Sequence, residues 1–433
     1  MGNRGRLSLV LLLALAASGP GFPQEVSGRK ELAVFTLGSY RWNIPPAALQ
    51  GIDERIRGVF VTLGRFSVIG MGYQLGEEDV GAFIESIKRF KSENVEIPET
   101  VQMGREFFTQ ADLNRLIASF IVVVPSVTDF RLSRGRDGGV SCAVRTSFTF
   151  VSVEELRAFA QFSIETSGSD PVQELALREA LDAIPPRLTF EVRKIPEFQL
   201  KSGILEVRGA EVVLELGSDM GVRPGDEYLI VAPRVLASGK TVTDEKGLLV
   251  VRDVRADSST ATVIYSDGPP APGDQLQELP RLGTDSTFSL RAVVWQPGRS
   301  QFALPAFAGI RQTLSRGFSA FRPYVGVEAP VHLLFSGAPG VPLNFFIGGE
   351  YDFSFGRLQV SPLASVGIGA YVSLVEGRAP VLSHAGGSIG VTVSYLFSRD
   401  MKWVAEAGWV TWLGLAGPTY GGVYAGGGIT IKF

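Results

Sequence analysis

The sequence predicts a multidomain fold: a periplasmic α/β domain, a small β-barrel domain and a C-terminal eight-stranded antiparallel transmembrane β-barrel. Three observations carry this. A basic N-terminal flank followed by a short apolar run marks export. Residues 30–196 mix helical and strand periodicities. From residue 284 onward, apolar residues alternate with small polar ones, and composition changes with the pattern. That stretch holds only 17 charged residues but 22 of the chain's aromatics, 23 of its 51 glycines and four of its five tryptophans.

The export signal comes first. Arg4 and Arg6 precede an apolar run over residues 7–17, and Ala14, Ala16 and Ser18 supply small residues at its end. This layout predicts a signal peptide over residues 1–22, cleaved between 16 and 24. The run is too short to span a bilayer. No other stretch is apolar for 18 unbroken residues, so no transmembrane helix is expected.

The chain has 433 residues, with 41 Lys and Arg against 44 Asp and Glu, a net charge of −3. That length suggests two to four units. With 45% apolar and 20% charged residues, the chain is not mainly disordered. The balanced charge, without a dense basic stripe, gives no reason to expect a nucleic-acid partner. One cysteine, Cys142, excludes an internal disulfide framework and a Cys-based zinc finger.

Residues 30–196 read as the α/β domain. Leu32-Ala33-Val34-Phe35-Thr36-Leu37 is a short apolar strand. Pro45 and Pro46 open a helix, where proline is tolerated because the first N–H groups lack intrahelical partners. Leu49, Ile52, Ile56, Val59, Phe60 and Leu63 share one helical face. Arg65–Ile69 reads as a strand, 77–92 and 109–118 as helices, and Phe120–Val124 as an apolar strand. Residues 139–151 and 156–166 alternate like an antiparallel pair. Val172, Leu175, Ala176 and Leu181 mark a helix that Pro185-Pro186 is expected to end.

Residues 200–280 read as a separate β unit. Four short strands are expected, at 211–216, 227–231, 247–255 and 260–265. Pro224-Gly225-Asp226 and Pro272-Gly273-Asp274 are turn signals, since proline presets φ and glycine accepts φ > 0.

The order of elements in residues 31–196, with Gly-Arg-Phe-Ser-Val-Ile and Ile-Val-Val-Val-Pro, resembles a periplasmic α/β module. That module occurs in the flagellar assembly T protein, the N-terminal part of TolB and the curli secretion protein CsgG. The chain departs from it at Val153-Glu154-Glu155-Leu156, where the family has an acidic-Gly turn. The run Gly-Ser-Asp-Met-Gly-Val-Arg-Pro-Gly-Asp-Glu-Tyr resembles the SH3-like β-barrel that closes the flagellar T protein. The resemblance implies contacts with protein or cell wall rather than chemistry.

Residues 284–433 read as the membrane barrel. Eight segments alternate: about 286–296, 301–314, 319–334, 342–355, 357–375, 382–397, 401–413 and 420–433. Each meets the roughly 9–11 residues that a transmembrane strand needs. Ile389, Val391, Val393, Tyr395 and Phe397 oppose Ser388, Gly390, Thr392 and Ser394. Phe345, Ile347, Tyr351, Phe353 and Phe355 oppose Asn344, Gly348, Glu350, Asp352 and Ser354. Val325, Val327, Val331 and Leu333 oppose Arg322, Tyr324, Glu328 and His332. An apolar exterior and a polar interior characterise a lipid-embedded barrel. Connections 315–318, 356 and 398–400 should be periplasmic turns, and 336–341, 376–381 and 414–419 outer loops. Ile429, Ile431 and Phe433 resemble the C-terminal signal that outer-membrane barrels present to their insertion machinery.

Inward parity collects Arg291, Arg311, Arg322 and Lys432 with Glu328, Glu350, Asp352 and Glu406. Four cations against four anions should pair, because an isolated buried charge is costly. Eight strands leave room for side chains rather than a wide channel. Trp295, Trp403, Trp409 and Trp412 read as barrel aromatics, with Trp403 and Trp409 outward as interface anchors.

Other chemistry is weak. Gly239-Lys240-Thr241 looks like the end of a P-loop, but Arg234 stands where the cradle needs glycine. Gly386-Gly387-Ser388-Ile389-Gly390 matches a nucleophile elbow, yet that motif needs a strand-to-helix turn. A Ser388, His384 and Glu406 set lies in the lumen and lacks His-x-Ser spacing. His332 and His384 alone make a poor metal site. Cys142 reads as a small core residue. No catalytic residue, cofactor or metal is expected.

The sequence therefore points to an outer-membrane-anchored periplasmic scaffold or assembly protein of the cell envelope. Its expected partners are outer-membrane lipid, the barrel insertion machinery and a periplasmic protein or the cell wall. The alternative is a small-solute pore or a surface-exposed outer-membrane protein.

Overall fold

The computed structural model describes residues 26–39, 44–75, 79–92, 98–103, 106–118, 121–135, 138–295, 306–334, 340–373, 380–415 and 419–433. The expected signal peptide lies outside the described residues, as do most of the outer connections. No described helix is long and apolar enough to cross a membrane.

The first unit is an α/β layer. Its elements run β1 (Lys30–Thr36), α1 (Pro46–Thr62), β2 (Phe66–Gln74), α2 (Val80–Ser92), β3 (Thr100–Met103), β4 (Glu106–Thr109), α3 (Gln110–Ala118), β5 (Ile121–Arg134), β6 (Val140–Ser152), β7 (Arg157–Asp170), α4 (Gln173–Asp182) and α5 (Ile184–Lys194). The sheet order is β2-β1-β5-β6-β7. β1 is parallel to β2 and β5, while β6 and β7 are antiparallel additions. Alternate residues of β1 serve two cores. Leu32 and Val34 join α1, α4 and α5 on one face, and Ala33 and Phe35 join α2 and α3 on the other. A strand covered on both faces must be apolar throughout, which explains its continuous run.

One local expectation needs correction, and one hairpin was not expected. Pro185-Pro186 does not end the helical region. α4 stops at Asp182, and the prolines occupy the first turn of α5, where they displace no hydrogen bond. The β3–β4 hairpin was also not legible, because its strands are four residues each.

The second unit is a closed six-stranded barrel: β8 (Lys201–Arg208), β9 (Glu211–Leu214), β10 (Glu227–Val235), β11 (Thr241–Val254), β12 (Ser259–Ser266) and β13 (Gln275–Leu279), in the order β10-β11-β12-β9-β8-β13. The four expected strands become six because β8 and β13 pair with each other and β13 pairs with β10, closing the ring. Leu214, Tyr228, Ile230, Leu249, Val251 and Leu276 fill it. Both Pro-Gly-Asp sequences form turns. Gly225 and Gly273 have φ of 83° and 93°, and the Asp226 and Asp274 amides donate back to Arg223 and Ala271.

The third unit is a closed antiparallel barrel: β14 (Thr284–Trp295), β15 (Ala306–Leu314), β16 (Phe321–Pro330), β17 (Gly340–Tyr351), β18 (Phe353–Phe355), β19 (Leu358–Ser373), β20 (Val381–Ser398), β21 (Met401–Gly414) and β22 (Tyr420–Lys432). β17 and β18 are one strand interrupted at Asp352, so eight strands close the ring. β14 pairs with β22, and β17 pairs with β19. The third alternating segment is shorter than expected: β16 stops at Pro330, and Val331–Leu334 form a helical turn. Proline has no N–H to continue a ladder. Phe288, Ile347, Val366, Ile389, Trp403 and Val423 are among many exposed outward side chains. Such a continuous apolar exterior is matched to hydrocarbon rather than water.

Candidate functional site

The barrel interior is an ion-pair network built by strand parity. Arg322 on β16 reaches Glu350 at 3.0 Å and Asp285 at 3.2 Å, and also contacts Asp352. Arg311 on β15 lies 3.5 Å from Glu350 and 3.9 Å from Glu406. Arg291 pairs with Glu328, which also accepts from Asn344 at 3.1 Å. The guanidinium groups of Arg291 and Arg311 lie over the rings of Tyr424 and Tyr324. Between these side chains the lumen keeps a cavity of about 30 Å³, and a second of about 50 Å³ lies at the mouth, between the lumen charges and the six-stranded barrel; each has room for a water or two.

The expected four-against-four set changes in two ways. Asp285 and Lys402 also point inward, 3.6 Å apart. Asp285 falls just before the segment that alternation marked, and Lys402, which shares a face of β21 with Glu406, was not among the expected residues. Lys432 pairs with Glu227, a residue of the six-stranded barrel, rather than with a lumen carboxylate. Ile429 and Ile431 are half-buried and the Phe433 ring is exposed at the strand end.

Glu227 belongs to a second site, the seam where all three units meet. The six-stranded barrel covers the end of the larger barrel that carries turns 315–320, 356–357 and 399–400. Arg252 donates to the Ser319 carbonyl at 2.7 Å and to Ser354 at 2.9 Å. Arg357 stacks over the Tyr265 ring at 3.8 Å. Leu396 packs with Leu248 and Ile264. Arg281 bridges Glu227 at 3.1 Å and Asp400 at 2.7 Å.

Behind this contact lies a buried chain of charges. Glu278 on β13 accepts from Arg65, just before β2, at 2.7 Å and from Arg193, in the last turn of α5, at 2.6 Å. Arg193 also donates to Asp226 at 2.8 Å, and Arg316 of the larger barrel donates to the same carboxylate at 2.7 Å. Arg193 and Glu278 are each 1% exposed. Burial alone would raise the Glu278 pKa, but the two guanidinium groups and the Leu200 amide hold it down at about 2. Burial would likewise lower Arg193, and Glu278 and Asp226 outweigh it and push it up.

Close backbone approach completes the seam. A Cβ at Gly225 would lie 2.0 Å from the Ser315 carbonyl oxygen, and φ is in the left-handed region. Gly225→Ala is therefore expected to cost at least about 1–2 kcal/mol from backbone conformation alone. The check is a lower unfolding midpoint with new protease cleavage at the 315–319 turn. An unchanged midpoint would show that the two barrels do not press together there.

The remaining candidates resolve simply. Gly239-Lys240-Thr241 forms the β10–β11 turn, with Leu236 donating to the Lys240 carbonyl. Ser388 shares a 2.8 Å hydrogen bond with Ser365. Ser383 lies 2.8 Å from the His384 Nδ1. His384 and Ser388 are four residues apart on one strand, about 13 Å. The side chain of His332 lies outside the described residues. No cluster of metal ligands occurs among the described residues. Cys142 is buried in the α/β core, and desolvation raises its thiol pKa. Trp412 is buried, while Trp403 and Trp409 are exposed on the outward wall.

No family model and no curated protein matches the chain. Among solved structures, Neisserial surface protein A is similar at 14% identity, covering 35% of this chain and 97% of its own, with a TM-score of 0.25. The N-terminal β-barrel domain of Pseudomonas aeruginosa OprF is similar at 12% identity, covering 35% and 98%, with a TM-score of 0.23. Lipoprotein GNA1162 from Neisseria meningitidis is similar at 10% identity, covering 37% and 98%, with a TM-score of 0.22.

Proposed function

We propose that the chain is an outer-membrane-anchored periplasmic scaffold or assembly protein of the cell envelope, with the eight-stranded barrel as a sealed anchor. The carrying observation is the seam: the six-stranded barrel covers one mouth of the larger barrel and supplies Glu227 to Lys432. A lumen filled with paired charges suits an anchor better than a conduit. The apolar exterior supports a lipid environment, and β-barrels span bilayers because every backbone group is paired within the ring.

In this reading the α/β unit and the six-stranded barrel stand in the periplasm. They present the surface that a protein or cell-wall partner would contact, which is what the sequence resemblance of residues 200–280 to the SH3-like module of the flagellar T protein implies. The reading assigns no catalytic centre.

Fractionation of the native envelope tests it. The protein is expected in the outer membrane, with heat-modifiable migration on gels and no unit conductance in planar bilayers. Recovery in a soluble periplasmic fraction would overturn the anchor. Steady conductance steps would favour the small-solute pore instead.

A further inference from the structure

At the seam, a cleft of about 630 Å³ opens between α1, α5, the Arg223 turn and the first and last residues of β14 and β15. Five arginines line it: Arg55, Arg193, Arg223, Arg281 and Arg316. No Asp or Glu does. The carboxylates that answer these arginines stand behind them. Asp182 takes Arg55 at 2.6 Å, and Glu227 and Asp400 take Arg281.

The remaining charge does not balance. Asp226 is shared by Arg193 and Arg316, and Glu278, the other partner of Arg193, is shared with Arg65, so three guanidinium groups meet two carboxylates. Arg316 gives its Nε to Asp226, and its two terminal nitrogens have no hydrogen-bond acceptor among the described residues. Arg223 is exposed, and its side chain has no acidic partner among the described residues. Burial, with Arg193 and Arg223 nearby, pulls the Arg316 pKa below the usual arginine range even though Asp226 opposes this. The cleft therefore holds cationic donors in want of an anion.

The other wall is apolar. Leu282 and Leu314 line the same cleft, and each is 44% exposed. Leu314 ends β15 on the outward face, in line with the exposed Ile310, which pairs across to the exposed Phe288. The cleft thus continues into the apolar wall of the barrel. A ligand that fits has an anionic oxygen group at one end and a hydrocarbon chain at the other.

We propose that this cleft binds an anionic phospholipid of the periplasm-facing leaflet, its phosphate held by Arg223 and Arg316 and an acyl chain lying along Leu282, Leu314 and Ile310. Guanidinium forks suit phosphate because two N–H groups can meet two oxygens at once. The bound lipid would fix the height of the seam relative to the bilayer. The proposal rests on the membrane reading.

The test uses the full mature chain, delipidated in a zwitterionic detergent and followed by native mass spectrometry and thermal unfolding. Phosphatidylglycerol, phosphatidylethanolamine and inorganic phosphate are added in turn. Phosphatidylglycerol is expected to stay bound and to raise the unfolding midpoint, and the other two are not. Arg223→Gln leaves no buried charge behind, so it should unfold like wild type without lipid. It should also bind phosphatidylglycerol about tenfold more weakly, the loss of one charge-assisted hydrogen bond. Equal retention of the two lipids would overturn the proposal, as would wild-type affinity in Arg223→Gln. Stabilisation by inorganic phosphate alone would assign the cleft to a free anion instead. A chain that stays soluble without detergent fails the membrane reading, and this proposal with it. A detergent-dependent barrel without lipid preference fails this proposal only.

Discussion

Glu278→Gln is expected to destabilise the protein by about 3–5 kcal/mol, because it leaves Arg65 and Arg193 buried without their shared counter-charge. The loss should exceed that of any exposed pair, such as Arg208 with Glu206, where water screens both ions. Its pH signature follows from the depressed pKa. The folded-state value is about 2, against an ordinary 4.5. The unfolded chain therefore binds the proton first, and the stability that Glu278 contributes is fully present above about pH 4.5. It is lost as pH falls from there towards about 2. Denaturant unfolding of wild type and Glu278→Gln at neutral pH and at successively lower pH checks both claims. The gap should close on acidification. A constant gap, or a loss below about 1 kcal/mol, would show that the cluster does not hold the units together.

Arg322→Gln is expected to be the most damaging single change in the lumen, again about 3–5 kcal/mol, and less where water enters. It exposes Glu350, Asp352 and Asp285 to one another, since all three meet on that one guanidinium. Glu350→Gln should cost less, because Arg322 keeps Asp352 and Asp285. The double substitution should then cost less than the sum of the singles. Unfolding in phospholipid vesicles, read by the barrel tryptophans, gives the cycle. Additive losses would reject the pairing. None of the three variants should change solute permeability, and altered ion conductance would favour a pore.

The alternation that marks the large barrel is a local property. Side chains on a strand point to opposite faces with period two, so Ile389, Val391 and Val393 separate from Ser388, Gly390 and Thr392 without knowledge of the neighbouring strands. For the same reason the inward charges Arg291, Arg322, Glu328 and Glu350 were legible residue by residue. The apolar run of β1 marked a strand, and the structure shows it buried on both faces. Local reading failed where a terminus or a second role intervened. Asp285 lies at a strand end, Pro330 stops β16, and Pro185-Pro186 starts a helix instead of ending one.

The tertiary structure alone decided which charges meet. Arg65 and Glu278 are 213 residues apart, and Lys432 and Glu227 are 205 apart. Nothing in either neighbourhood of the sequence names the other partner. Closure of the small barrel likewise needed β8 and β13 to find each other, and the seam needed Gly225 to accept the Ser315 carbonyl. Strand periodicity determines the face on which a side chain lies. The element it faces depends on how separate units dock, and docking is set by shape and charge summed over surfaces that no single stretch of sequence contains.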